Sequence, residues 1–389
     1  MLFIGEFDSS LVFWTIGSIL VFFFCVLSAG VLIPQILLIS FRKKLFDVPD
    51  ERKIHQGVVP RLGGIAFKPV VFLSIALLIG ISLLLGYGNM LGGLAAEGRA
   101  LSFGFCSIMV LYLVGMADDL IGIRYKAKFV VQVICGLLVI AGALWMNNLH
   151  GMFFIHELPW WVGYPFTVLA VVFIINAINL IDGIDGLASG ISIIAFIIYG
   201  GIFYYCEKYI YALLSFAPLG ILLPFFYYNV FGKAERGRKI FMGDTGSMTI
   251  GLLLCFLNIQ MDNLELPLPD HLNPAVLAFS PLLVPGLDLV RVFLFRIRHG
   301  KNPFIADTNH IHHKLMVIGI RPRRALAIIV SFSLALTVTN IFLSEYLDSF
   351  VIIVADIVLW TILNILLRKR IIKVLSRKKT QQPLSTTIS

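Results

Sequence analysis

About eleven long apolar runs divide this chain, at roughly 11–33, 64–86, 100–116, 128–146, 161–180, 187–205, 210–230, 246–261, 275–296, 324–343 and 349–367. Runs of this length suit helices that cross a bilayer. Lipid offers no partner to a backbone amide or carbonyl, so a crossing segment must satisfy its own hydrogen bonds. The chain therefore reads as an all-α polytopic integral membrane protein. Residues 1–367 form one transmembrane bundle, and 368–389 form a basic cytoplasmic tail, partly disordered. Only 14% of residues are charged, against about 25% in soluble domains.

Positive charge sets the expected orientation. The 42–62 loop holds Arg42, Lys43, Lys44, Arg52, Lys53 and Arg61, which marks it as cytoplasmic and puts the N-terminus outside. With eleven spans, the C-terminus is cytoplasmic, and of 31 Lys and Arg residues only Arg99 and Lys208 fall outside. The net charge of +9 then needs no nucleic acid to explain it. The tail cations Arg368, Lys369, Arg370, Lys373, Arg377, Lys378 and Lys379 should lie against anionic membrane lipid. Glu6 and Asp8 stand where a signal peptide would be basic, so the first run is expected to remain as a helix. The five cysteines show no CxxC spacing and read as small core residues.

Polar clusters break this apolar background, and four of them fall on the cytoplasmic side. Asp118 and Asp119 follow span 3. Asn176, Asn179, Asp182 and Asp185 recur every third residue where span 5 turns into span 6. Gly243, Asp244, Thr245, Gly246 and Ser247 open span 8, with Asp244 or Ser247 as its expected N-cap. Asp307 to His313 lies between spans 9 and 10.

Five carboxylates, Asp118, Asp119, Asp182, Asp185 and Asp244, crowded at one membrane face repel one another, and a divalent cation relieves that repulsion. Asp and Asn offer hard oxygens, which favours Mg²⁺, with Mn²⁺ as a substitute, over zinc. His310, His312 and His313 lack the cysteine or HExxH partners of a zinc site. They suit a nucleotide phosphate or base better. Lys53, Arg61, Arg124, Lys126 and Lys128 complete a basic complement for an anionic substrate. The class of chemistry is metal-assisted phosphoryl transfer to a membrane-resident acceptor. Asp288 and Arg291, three apart in span 9, read as an ion pair inside the bundle. An ion-coupled transporter is the reading from another class. It would place its acids near the bilayer midplane, whereas these lie at span ends.

Taken in order, these motifs resemble the polyprenyl-phosphate N-acetylhexosamine-1-phosphate transferases. The resemblance runs from about residue 42 to 324. It includes Lys53 and His55 followed by Pro60, Gly63 and Gly64, and the pair Asp118 and Asp119 followed by Lys128 and Gln132. It continues through Asn176 to Leu187, Gly243 to Ser247, and Asn309 to His313. The terminal histidine segment, followed by Lys314 and Leu315, resembles the WecA/TagO-like branch more than the related MraY enzymes. A MraY-like phospho-MurNAc-pentapeptide transferase is the alternative within the family.

The resemblance implies a UDP-N-acetylhexosamine donor, with UDP-GlcNAc favoured, and undecaprenyl phosphate as acceptor. UMP leaves, and the lipid-diphosphate sugar starts a cell-surface glycan. It implies Asp118, Asp119 and Asp244 as catalytic residues, with Asp118 or Asp119 as base. Asn179 and Asp244 are implied as metal ligands. Lys53, His55, Lys128, Asn176, Asp182, Asp185, His310, His312 and His313 are implied to bind substrate. The expected location is the cell inner (cytoplasmic) membrane, with the active site on the cytoplasmic face. Pairing into a homodimer is left open.

Overall fold

A computed structural model describes residues 9–45, 59–264, 272–302 and 309–381. Lys53, His55 and Asp307 lie outside the described residues, as does the chain beyond 381. Every apolar run forms a helix. In chain order these are α1 (Ser9–Lys43), α2 (Phe67–Leu84), α3 (Gly98–Ile121), α4 (Tyr125–Ala141), α5 (Trp160–Ile181) and α6 (Leu187–Tyr205). They continue with α7 (Tyr209–Phe231), α8 (Gly243–Asp262), α9 (Leu283–Arg298), α10 (Pro322–Leu343) and α11 (Ser349–Gln381). A 3₁₀ turn, Gly63–Ala66, leads into α2. A short helix, Ile311–Val317, carries the last two histidines. Among the described residues the only β-type pairing is an isolated bridge between Asn148 and Glu157.

Nine helical stretches among the described residues are long and apolar enough to cross a membrane. The sequence pattern suggested eleven, and the two that fall short are α4 and α8. Helix α4 has 17 residues, whereas α9 is continued upstream by helical turns from Pro274 into a stretch of 25 residues. Helix α8 carries Asp244, Asn258, Gln260 and Asp262. Its setting explains that polarity. From Thr245 to Asp262 every residue but Gln260 is buried, and α8 packs against α3, α5 and α6. Enclosed by protein, it needs no uniformly apolar surface.

Two boundaries differ from the sequence reading. Helix α1 continues past residue 33 to Lys43. The tail expected to begin at 368 is no separate segment at its start, because α11 runs on through Gln381. The physical reason is local. Residues 368–381 contain no Gly or Pro and are rich in Lys and Arg, good helix formers that keep the backbone ladder intact.

The start of α8 is anchored by backbone. Phe241 donates its N–H to Pro60 O at 2.8 Å, Gly63 to Phe241 O at 3.0 Å and Gly64 to Met242 O at 2.9 Å. This pairing brings Gly64 so close to α8 that a Cβ on it would sit 2.1 Å from Gly246 N. Small residues are what let backbones approach this way inside a membrane bundle. Gly64→Ala should therefore cost about 1–3 kcal/mol, the usual range for overpacking. Thermal unfolding of the purified protein in detergent checks this, with Gly80→Ala as control, since a Cβ there meets nothing within 4 Å.

Candidate active site

Four helix ends meet where α8 begins. The last turn of α3 supplies Asp118 and Asp119, and the first turn of α4 supplies Lys128. The end of α5 and the turn after it supply Asn179, Asp182 and Asp185. The first turn of α8 supplies Asp244 and Thr245.

The two adjacent aspartates do different work. One oxygen of Asp119 accepts the Asp244 N–H at 2.8 Å. The other accepts the Thr245 N–H at 2.8 Å and the Thr245 hydroxyl at 2.5 Å. Asp119 thus caps α8 from another helix, meeting amides that have no intrahelical partner and adding a negative charge where the helix dipole favours one. The sequence suggested Asp244 or Ser247 for that cap. Neither acts so: Ser247 Oγ donates back to Gly243 O at 2.9 Å, and Asp244 turns its carboxylate toward the site.

Asp118 accepts the Ile123 N–H at 2.6 Å and the Lys128 ammonium at 2.6 Å. Lys128 also contacts the carboxylate of Asp244, so one cation lies between two acids. Asn179 Nδ2 donates to Asp244 Oδ1 at 3.0 Å and to Ser247 Oγ at 2.8 Å. One oxygen from each of Asp118, Asp119 and Asp244 lies within 4.8 Å of the others. These are hard donors of the kind Mg²⁺ takes. Asp119 spends its oxygens on the α8 backbone and the Thr245 hydroxyl, whereas Asp118 and Asp244 share the Lys128 ammonium, a cation that another cation can replace.

Beside this cluster opens a pocket of about 280 Å³, near the lower end of the range of small-molecule sites, which starts at about 300 Å³. Arg61, Asn179, Asp182, Asp185, Asp244 and His313 line it, together with Phe241 and Ser247. Burial pushes the Asp182 pKa well above the usual carboxylate range. The charges of Asp185, Asp244 and Asp119 add to this, and Arg61 opposes it. The wall is short of positive charge, which is the condition a bound cation would correct.

The remaining expected residues are placed unevenly. Asp185 is paired with Lys239 at 2.6 Å. Asn176 does not line the pocket; it exchanges amide hydrogen bonds with Gln132, at 2.7 and 3.5 Å, one turn inside the bundle. Only His313 of the three histidines reaches the pocket wall. His312 is 1% exposed and packs on the pocket turn, where a Cβ on Gly183 would sit 2.1 Å from its Nε2. Burial, then His313 and His310, push its pKa down to about 3, so the ring is neutral near pH 7.

Sequence reasoning passed over Lys239 and Asn229. Asn229 Oδ1 accepts the Gly186 N–H at 2.6 Å, and its Nδ2 donates to Ile240 O at 2.7 Å, tying the pocket turn to the α7–α8 connection. An amide near the end of an apolar run was its only sequence signal.

The profile of the family described as Glycosyl transferase family 4 matches residues 101–262, the stretch that carries Asp118 through Asp244. The chain is 32% identical over 295 residues to the undecaprenyl-phosphate alpha-N-acetylglucosaminyl 1-phosphate transferase of Salmonella typhi, covering 75% of this chain and 74% of that protein. It is 29% identical over 307 residues to the protein of the same name from Escherichia coli K12, covering 78% and 77%. It is 30% identical over 346 residues to a probable undecaprenyl-phosphate N-acetylglucosaminyl 1-phosphate transferase of Bacillus subtilis strain 168, covering 87% and 89%.

The separate roles of Asp118 and Asp119 can be read in two measurements. Asp119→Ala should lower stability by about 1–2 kcal/mol, the value of a lost N-cap, and disable the site with it. Asp118→Ala should leave the thermal midpoint closer to that of the parent, because Lys128 keeps Asp244 as partner. Thermal unfolding and turnover measured on the same preparations check both.

Proposed function

The chain belongs to glycosyl transferase family 4, and from that premise we propose that it transfers N-acetylglucosamine 1-phosphate from UDP-N-acetylglucosamine to undecaprenyl phosphate. UMP is released, and the product is a lipid-diphosphate sugar. The observation that carries this reading is the junction of an acid–lysine cluster with an open polar pocket at the common end of four bundle helices. The relatives' names supply the acceptor and the sugar. The UDP portion of the donor is inferred from the pocket, where Phe241 offers a face for a base and Arg61 and His313 offer contacts for phosphate.

In this reading all eleven helices cross the inner membrane, with the N-terminus outside and the site in the cytoplasm. What supports it is the charge asymmetry, which leaves Arg99 and Lys208 as the only outside cations. Asp244 and Asn179 would hold Mg²⁺, whose charge offsets that of the diphosphate. Asn179 now donates to Asp244; turning its amide over presents the oxygen instead.

An oxygen of the lipid phosphate attacks the sugar-linked β-phosphorus in line, and the bond to the departing UMP oxygen breaks. One anhydride replaces another, so positioning and charge neutralisation carry the rate. Lys128, shared by Asp118 and Asp244, would contact the acceptor phosphate. Asp118 is the better placed of the pair to act on that phosphate, since Asp119 is spent on the cap.

Purified protein incubated with labelled UDP-N-acetylglucosamine and undecaprenyl phosphate should release UMP and move the label into lipid. Labelling with UDP-MurNAc-pentapeptide alone, or no transfer at all, would overturn the reading. Asp244→Asn should reduce turnover by about 10²–10³-fold even at high Mg²⁺, as loss of a charge-stabilising group does; near-parental activity would remove Asp244 from the metal site. In a cysteine-free background, Asn89→Cys should react with an impermeant maleimide in whole cells, and Glu235→Cys only after permeabilisation. The reverse pattern would invert the proposed topology.

A further inference from the structure

Read from sequence, Asp288 and Arg291 are an ion pair one helical turn apart on α9. The structure gives that pair a second set of partners. Asp288 is 1% exposed. Its Oδ1 accepts from Arg291 at 2.7 Å, and its Oδ2 accepts from His310 Nδ1 at 2.9 Å. The Ile311 N–H donates to the same carboxylate at 3.2 Å. Arg291 Nη2 also donates to Asn309 O at 2.5 Å. Three consecutive residues, Asn309, His310 and Ile311, are therefore held by two side chains of α9.

A pair that served the bundle alone would end on neighbouring helices. This one ends on the segment that delivers the histidines. Ile311 starts the short helix of His312 and His313. Fixing its N–H fixes the direction in which that helix leaves α9. A buried carboxylate holding an imidazole also sets the ring's orientation and which nitrogen donates. The His310 ring lies parallel to that of His312, with centroids 5.7 Å apart and planes at 3°. His312 in turn rests against Gly183, and His313 reaches the pocket. A continuous chain of contacts runs from α9 to the turn bearing Asp182 and Asp185.

We propose that Asp288 and Arg291 are positioning residues for the reaction: they clasp the histidine segment to α9 and so seat His312 and His313 against the nucleotide side of the pocket. This rests on the transferase reading above. The clasp acts on the donor wall and leaves the Asp118–Lys128–Asp244 cluster untouched, so it should govern donor binding more than acceptor binding.

The test uses the full-length protein carrying Asp288→Ala, Arg291→Ala or Arg291→Lys. Asp288→Ala should raise the KM for the UDP-sugar about tenfold or more, the scale of lost charge-assisted hydrogen bonds, and leave the KM for undecaprenyl phosphate within twofold. Arg291→Lys should recover part of the loss caused by Arg291→Ala, since ammonium can still reach Asp288 but cannot bridge to Asn309 as well. A purely structural role would lower folded yield and thermal midpoint while leaving both KM values per folded mole unchanged, and that result overturns the proposal. Equal shifts in both KM values overturn it too. Hydrogen exchange of residues 309–317 reads the clasp without turnover: it should speed up in either alanine variant, and unchanged exchange overturns the clasp. If the parent transfers no sugar phosphate, the function reading fails, while the exchange result still decides the clasp. Should Asp288→Ala fail to fold, Arg291→Ala carries the same decision.

Discussion

The site depends on one carboxylate capping a helix to which it does not belong. Asp119, at the end of α3, accepts two backbone amides and a hydroxyl at the start of α8. Both ends of the contact gain. The amides of a helix N-terminus have no intrahelical acceptors, and a carboxylate is their strongest side-chain partner. The carboxylate, half-buried at the helix junction, would otherwise lose solvation without compensation. Once α8 is held there, Asp244 faces Asp118 and Lys128, and Asn179 of α5 lies within hydrogen-bond reach of both Asp244 and Ser247.

Charge around that anchor is deliberately unbalanced toward the acids. Lys128 is shared by Asp118 and Asp244, and Lys239 is committed to Asp185. Burial, and then the neighbouring carboxylates, raise the Asp182 pKa. Such a site is poorly neutralised by protein alone and is suited to a ligand that arrives with a cation. The histidines supply a different kind of contact. His312 is kept neutral by burial, so it offers shape and hydrogen-bonding capacity without adding a charge.

Much of this was legible in the sequence, because the governing rules are local. Apolar runs of span length become helices whatever surrounds them, and all eleven did. Acids at the ends of such runs are costly enough to mark a site, and Asp118, Asp182, Asp185 and Asp244 gather as that cost suggests. What depended on partners far along the chain was not legible. Asp118 and Asp119 are neighbours with equal claims until α8 takes both oxygens of one. Asn176 has the spacing of its pocket-lining repeat mates, but its position one turn deeper turns it to Gln132. Lys239 lies 54 positions from Asp185, and only the turn after α5 brings the two together.

By itself, the sequence determined an all-helical membrane chain and the inventory of acids, amides and histidines at the ends of its helices. Periodicity, hydrophobic length and the cost of charge in lipid act within a few residues and need no fold to be read. Only the tertiary structure decided which acid caps and which faces the pocket, which histidine is buried and which is presented, and that α9 reaches across to hold the histidine segment. Those assignments rest on packing and on hydrogen bonds, among them bonds between residues 18 and 126 positions apart, and such contacts exist only once the fold has brought their two ends together.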